Sequence, residues 1–164
     1  MARLRVTLLG GVGVQFDSGQ TVPLQGRKAQ ALLAYLALQR GQAQPRDKLA
    51  ALLWPEAPHE RARHNLRQLL LVVRQAIPPT SLREIGEAVA LDAAGLDVDV
   101  TEFERLAVSD TPGALAQATI LYQGDLLAGI GQQSAAFEEW LLSERERLRE
   151  LALEAFAKLL SHHL

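Results

Sequence analysis

The sequence predicts an α+β fold, an N-terminal winged helix-turn-helix with a small antiparallel sheet followed by an all-α segment. Three observations predict it. Short β-prone runs crowd the first 24 residues. A short helix, a proline-bearing turn and a longer basic-faced helix then lead into a hairpin signal. Beyond Leu96 the longer apolar patterns all have helical period.

Residues 4–9 and 12–16 are β-prone runs parted by Gly10-Gly11, and 21–24 follows the turn-like Asp17-Ser18-Gly19. From Arg27 the pattern becomes helical, with Ala29, Leu32, Leu33, Leu36 and Ala37 on one face before Arg40-Gly41 stops it. A second helix fits residues 45–54, with Leu49, Leu52 and Leu53 as its apolar stripe and Pro55 forbidding continuation. Pro58 suits the first turn of a third helix that runs to Ile77, because the missing N–H has no partner there anyway. Its buried stripe is Ala62, Leu66, Leu69, Leu70, Val73 and Ile77. Residues 82–85 and 89–91, joined across Gly86-Glu87, read as a hairpin. The rest is helical at 101–107, 113–122 and from Ala135 to about His162, as one long helix or two abutting ones, with a glycine-bearing connection at 124–133. These patterns divide the chain into a winged-helix domain, 1–96, and the N-terminal part of an all-α domain, 97–164.

The net charge of −2 conceals a segregation. From Arg27 to Arg83 ten cations face three anions, whereas from Thr101 onward five cations face ten anions. A polyanion would meet the first stretch and be repelled by the second. The arc of the third helix opposite its buried stripe projects Arg63, His64, Arg67, Gln68, Leu71 and Arg74. Those side chains suit a major groove, where Arg pairs with guanine, Gln with adenine and an aliphatic group meets the thymine methyl. Arg27, Lys28, Arg46, Lys48 and Arg61 stand at or near helix starts, where the helix dipole does not favour a cation, and so suit phosphate contacts. The wing offers only Arg83, beside Glu84 and Glu87.

Other chemistries find little footing. There is no cysteine, hence no disulfide, thiolate metal site or cysteine nucleophile, and a reducing cytoplasm is the expected location. His59 and His64 lack the spacing of a shared metal site, so neither metal nor cofactor is expected. Gly11-x-Gly13 opens no helix and fails as a dinucleotide fingerprint. Asp97-Val98-Asp99 and Glu138-Glu139 read as solvated carboxylates. No serine has a nucleophile's setting, and no catalytic residue or enzyme activity is expected. The opening residues do not form a signal peptide, and no apolar run approaches the roughly 20 residues that span a bilayer.

The stretches LRVTLLGGVGVQF, GRKAQALLAYLAL, RDKLAALLWPEAPHERARHNLRQLLLVVRQAI, LDVDVTEFERL, LYQGDLLAGI and FEEWLLSERERLRELALEAF resemble the SARP regulators. These are bacterial activators that join an OmpR-type winged helix to a bacterial transcriptional activator domain. The most specific block holds Arg46, Leu49, Leu52, Trp54, Ala62, Arg63, Asn65 and Leu66 in the family's spacing. The resemblance implies double-stranded DNA binding through the third helix, phosphate contacts from the helix starts, and a tetratricopeptide-like second domain needing helices beyond residue 164. It also implies Trp54 and Trp140 in the core. Double-stranded DNA is the expected partner and RNA polymerase the next. The last helix carries Leu148, Leu151, Ala152, Ala155 and Leu159 on one stripe, with Leu153, Phe156 and Leu160 beyond it, wider than a one-sided helix needs. Those three are the expected self-association surface of a homodimer. The alternative is a winged helix used as a protein-interaction or autoinhibitory module without DNA binding.

Overall fold

The computed structural model describes residues 3–164. In chain order it runs β1 (Leu4–Thr7), β2 (Gly13–Phe16), α1 (Arg27–Leu38), β3 (Gln44–Pro45), α2 (Arg46–Leu53), α3 (His59–Ala76), β4 (Leu82–Ile85), β5 (Ala88–Leu91), β6 (Leu96–Val98), α4 (Asp99–Ala107), α5 (Pro112–Leu121) and α6 (Ala135–His163). The fold is mixed α+β, two small sheets and six helices, in the arrangement of a winged helix-turn-helix continued by helices.

The first sheet has the order β2-β1-β6 and differs from the antiparallel sheet expected: β2 is antiparallel to β1, but β6 runs parallel to it, with Leu4 opposite Leu96 and Val6 opposite Val98. Residues 21–24 do not form a strand; Thr21 makes a single bridge to Gln15, and the Val22 N–H donates to the Val14 carbonyl. Strand β1 also ends at Thr7, because Leu8 and Leu9 turn their backbone groups to other partners. Both donate to the Asp99 carboxylate at 2.9–3.0 Å, and the Leu8 carbonyl accepts from the Leu127 N–H at 2.8 Å. Asp99 is therefore no solvated carboxylate. Burial pushes its carboxyl group up, while the N–H donors of Leu9, Leu8 and Val100 pull the other way. Glu138 is likewise engaged, accepting from the Gln133 N–H at 2.7 Å while Ser134 caps α6 by accepting from the Phe137 N–H. Of the acids expected to be solvated, Asp97 and Glu139 are exposed.

In the second sheet, of order β3-β5-β4, the two-residue strand β3 places Gln44 opposite Val89. Its hairpin turns on Gly86, whose φ of 59° at the first central position fits a type II′ turn. Helix α1 ends where Arg40 and Gly41 take φ of 56° and 84°. Proline precedes α3 as its cap residue, with φ −56° and ψ 148° at Pro58. Helix α6 is one uninterrupted helix of 29 residues.

One apolar core runs through the molecule and does not break at Leu96, where the composition turns acidic. Leu4, Leu8, Leu32, Leu33, Leu49, Leu66, Leu91, Phe103, Leu115, Phe137 and Leu148 belong to it alike. Trp140 of α6 packs edge-on to Tyr35 of α1, ring centroids 4.9 Å apart, and 5.2 Å from Phe137. Trp140 and Trp54 are both half-buried against this core. The Ser134 hydroxyl donates to the Leu52 carbonyl at 2.5 Å, seating the start of α6 on α2. Further round, Glu104 of α4 accepts from Arg40 at 2.9 Å and from Arg147 of α6 at 2.8 Å. The helical segment is thereby braced against the helix-turn-helix from several sides.

Candidate nucleic-acid interface

Helix α3 is long enough to expose a ridge because its apolar residues fall at helical spacing on one arc: Ala62, Leu66, Leu70, Val73 and the following Ile77 are all buried. It packs that arc on α1 and α2. Leu69, expected in the same stripe, lies at its half-buried edge. The opposite arc divides into two classes of side chain.

Arg61, His64, Arg67, Gln68 and Leu71 are exposed, Leu71 by 45%. Among the described residues, no side-chain hydrogen bond or ion pair engages Arg61, His64, Arg67 or Gln68. A solvated ridge of donors and one aliphatic group stands on a rigid helix.

Arg63 and Arg74 are half-buried and already paired. The Arg63 guanidinium reaches Glu87 at 2.9 Å and Asp47 at 3.4 Å, and Arg74 pairs with Glu84. Arg46, at the first residue of α2, pairs with the same Glu84 at 2.7 Å and donates to the Gly86 carbonyl at 3.1 Å. Its own N–H donates to the Glu87 carbonyl, so Arg46 fastens the start of α2 to the wing turn. The guanidinium of Arg74 and then that of Arg46 hold the Glu84 carboxyl below the usual carboxylate range. Between α3 and the wing lies a cleft of about 420 Å³, walled by these arginines and Arg67, with Glu84 and Glu87 on the wing side.

The remaining cations do not line this cleft. Lys48 and Arg83 are exposed. Lys28 sets its ammonium 5.3 Å from the centroid of the Trp54 ring, and partial burial lowers its pKa. Arg27 is exposed but lies against Gly131 of the α5–α6 connection, so closely that a Cβ there would stand 2.3 Å from its Nη1. The structure thus groups Arg46, Arg63, Arg67 and Arg74 along one cleft and takes Arg27 and Lys28 to contacts of their own. Sequence reasoning missed Asp47, Glu84 and Glu87 as partners of the arginines. The one available signal was the acidic wing, because the pairs join residues 38, 24 and 10 apart, beyond any helical period.

Far from this interface, Leu153, Phe156 and Leu160 of α6 are 69, 42 and 64% exposed, while Leu148, Ala152 and Ala155 are buried and Leu151 and Leu159 half-buried. No helix among the described residues is long and apolar enough to cross a membrane.

Fold and site together define a winged helix-turn-helix with a solvated polar ridge and a helical continuation. No protein-family model matches the chain, and neither does any curated protein. Among solved structures, Mycobacterium tuberculosis EmbR in complex with low affinity phosphopeptide is similar, with a TM-score of 0.72 and 22% sequence identity. The match covers 95% of this chain and 44% of that one, so the chain spans less than half the length of its structural neighbour. At this identity the likeness establishes the fold.

Proposed function

We propose that the chain binds double-stranded DNA sequence-specifically and regulates transcription as an activator, with α3 in the major groove. The observation that carries this reading is the division of α3: its apolar arc is fixed in the core, while Arg67, Gln68, His64 and Leu71 stand solvated and unengaged on the other side. Such a ridge has no internal partner to displace before it meets base edges, and the helix beneath it is anchored in the core. Arg61 and Lys48 flank it as phosphate contacts, with Arg83 on the wing and Arg27 and Lys28 at the start of α1. Arg46, Arg63 and Arg74, already held by carboxylates, meet phosphate only after exchanging those partners, which takes Arg63 and Arg74 off the groove face expected of them. The resemblance to SARP regulators supports activation and RNA polymerase as a second partner. It also supports the division into a DNA-binding part, 1–96, and a tetratricopeptide-like part, 97–164.

The test is binding of the purified chain to a random pool of duplexes, followed by titration of the selected sequence between about 50 and 200 mM salt. Affinity should fall at least tenfold over that range, as roughly two or more phosphate contacts require. Failure to bind any duplex, or binding indifferent to salt, overturns the proposal. The second outcome would favour the winged helix as a protein-interaction module.

A further inference from the structure

The wing carboxylates occupy the arginines that a phosphate backbone would otherwise recruit. Glu84 accepts from both Arg46 and Arg74, and Glu87 from Arg63. Glu84 lies on β4 and Glu87 in the hairpin turn, and their three partners come from the start of α2, the first half of α3 and its last turn. Glu87 is 84% exposed, so nothing in the packing requires its charge there. Helix α3 carries Arg61 and Arg67 on the same arc without any such partner among the described residues. The cleft is therefore a mixed surface in which Arg46, Arg63 and Arg74 are committed and Arg67 is free.

We propose, resting on the DNA-binding reading, that Glu84 and Glu87 are specificity-setting residues that act through Arg46, Arg63 and Arg74. A duplex that engages these arginines must exchange one anion for another, a carboxylate for a phosphate, and gains little from the exchange. A nonspecific complex, held by phosphates alone, must open these pairs, whereas a specific complex can leave them closed and keep its base contacts, so the device lowers nonspecific affinity more. Base contacts from Arg67 and Gln68 are not subject to it, because neither side chain has a carboxylate to leave. The ratio of specific to nonspecific binding rises as a result. Glu84 and Glu87 also set their own charge against nearby phosphates whenever the pairs open, which penalises poorly registered complexes further.

The experiment compares wild type with Glu84→Gln/Glu87→Gln and with Glu56→Gln/Glu60→Gln. The last pair removes the same charge beside the same helix from acids that hold no cation among the described residues. Each protein is titrated with the duplex chosen by selection and with random duplex across the same salt range. Freeing Arg46 and Arg74, and leaving Arg63 only its 3.4 Å contact with Asp47, should raise affinity for random duplex at least fivefold and steepen its salt slope by about 2, at about 0.9 per added phosphate contact. Affinity for the selected duplex should rise less, so discrimination falls, and the control should show neither change of slope nor loss of discrimination. Glu87→Gln with Asp47→Asn removes both carboxylates that reach Arg63 and should steepen the slope by about 1, which keeps the test open if the Glu84/Glu87 variant misfolds. Unchanged slope and discrimination in the Glu84/Glu87 variants, or changes matched by the control, overturn the proposal while leaving DNA binding intact. Failure of wild type to bind any duplex overturns both together.

Discussion

Replacing Asp99 by alanine should loosen the seam between the two halves of the chain. Its carboxylate receives the N–H groups of Leu8 and Leu9, residues that are 0 and 4% exposed, at 2.9–3.0 Å, and also that of Val100. Alanine supplies no acceptor, and Leu8 and Leu9 are buried. A buried donor left without a partner costs about 1–3 kcal/mol, so the two together cost about 2–6 kcal/mol. Against a total stability of about 5–15 kcal/mol for a protein of this kind, that is a large fraction. Asparagine retains one acceptor oxygen but sets an NH2 against N–H donors and loses the charge-assisted bonds, so its cost should fall between those of aspartate and alanine. Urea unfolding followed by circular dichroism measures both variants against wild type. A loss below about 1 kcal/mol for Asp99→Ala would refute the reasoning, since it would mean that these amides find other partners or that the seam contributes little.

At the interface, Arg67→Ala should weaken binding to the selected duplex by about 1–3 kcal/mol and relax its base preference, whereas Arg61→Ala should weaken every duplex alike; gel-shift titration on matched and mismatched duplexes separates the two. Nuclear magnetic resonance titration of the Glu84 side chain should give a midpoint below its ordinary 4.5, moving back toward it in Arg74→Ala. Because the folded value is depressed, the stabilising contribution of Glu84 is present above the ordinary value and disappears as pH falls through the folded one. The exposed trio Leu153, Phe156 and Leu160 should drive a concentration-dependent dimer that Phe156→Glu weakens while the fold is kept. Sedimentation at rising concentration is the check, and a strictly monomeric chain would contradict it.

Much of the helical layout is written in the sequence, because helix periodicity is a local property. The stripe of α3 is buried at Ala62, Leu66, Leu70, Val73 and Ile77 as the spacing requires, and the exposed arc follows from it by geometry alone. The same logic places Leu148, Ala152 and Ala155 inside α6 and leaves Leu153, Phe156 and Leu160 outside. Gly86 marks the hairpin because its backbone adopts a positive φ that disfavours side chains. Of the polar ridge, His64, Arg67, Gln68 and Leu71 were equally legible from their positions on one helix, whereas Arg63 and Arg74, expected among them, are half-buried and paired.

What the tertiary structure alone decided involves partners distant in sequence. The strand β6 is three residues long and sits among acids and glycine, with too few positions for a periodic signal, and it becomes a strand only because β1 offers a free edge. Asp99 reads as an ordinary surface acid until the chain brings the amides of Leu8 and Leu9, 91 and 90 residues away, to its carboxylate. Arg63, Arg67 and Arg74 share one helix face and one residue type, yet two are paired with carboxylates and one is free. The difference lies in where the wing hairpin folds back over α3, bringing Glu84 and Glu87 to the two arginines nearest them. Local patterning dictates which residues face solvent, because it depends on neighbours three and four positions away. Which charges those residues meet there depends on chain closure, whose geometry is set by the packing of the whole core.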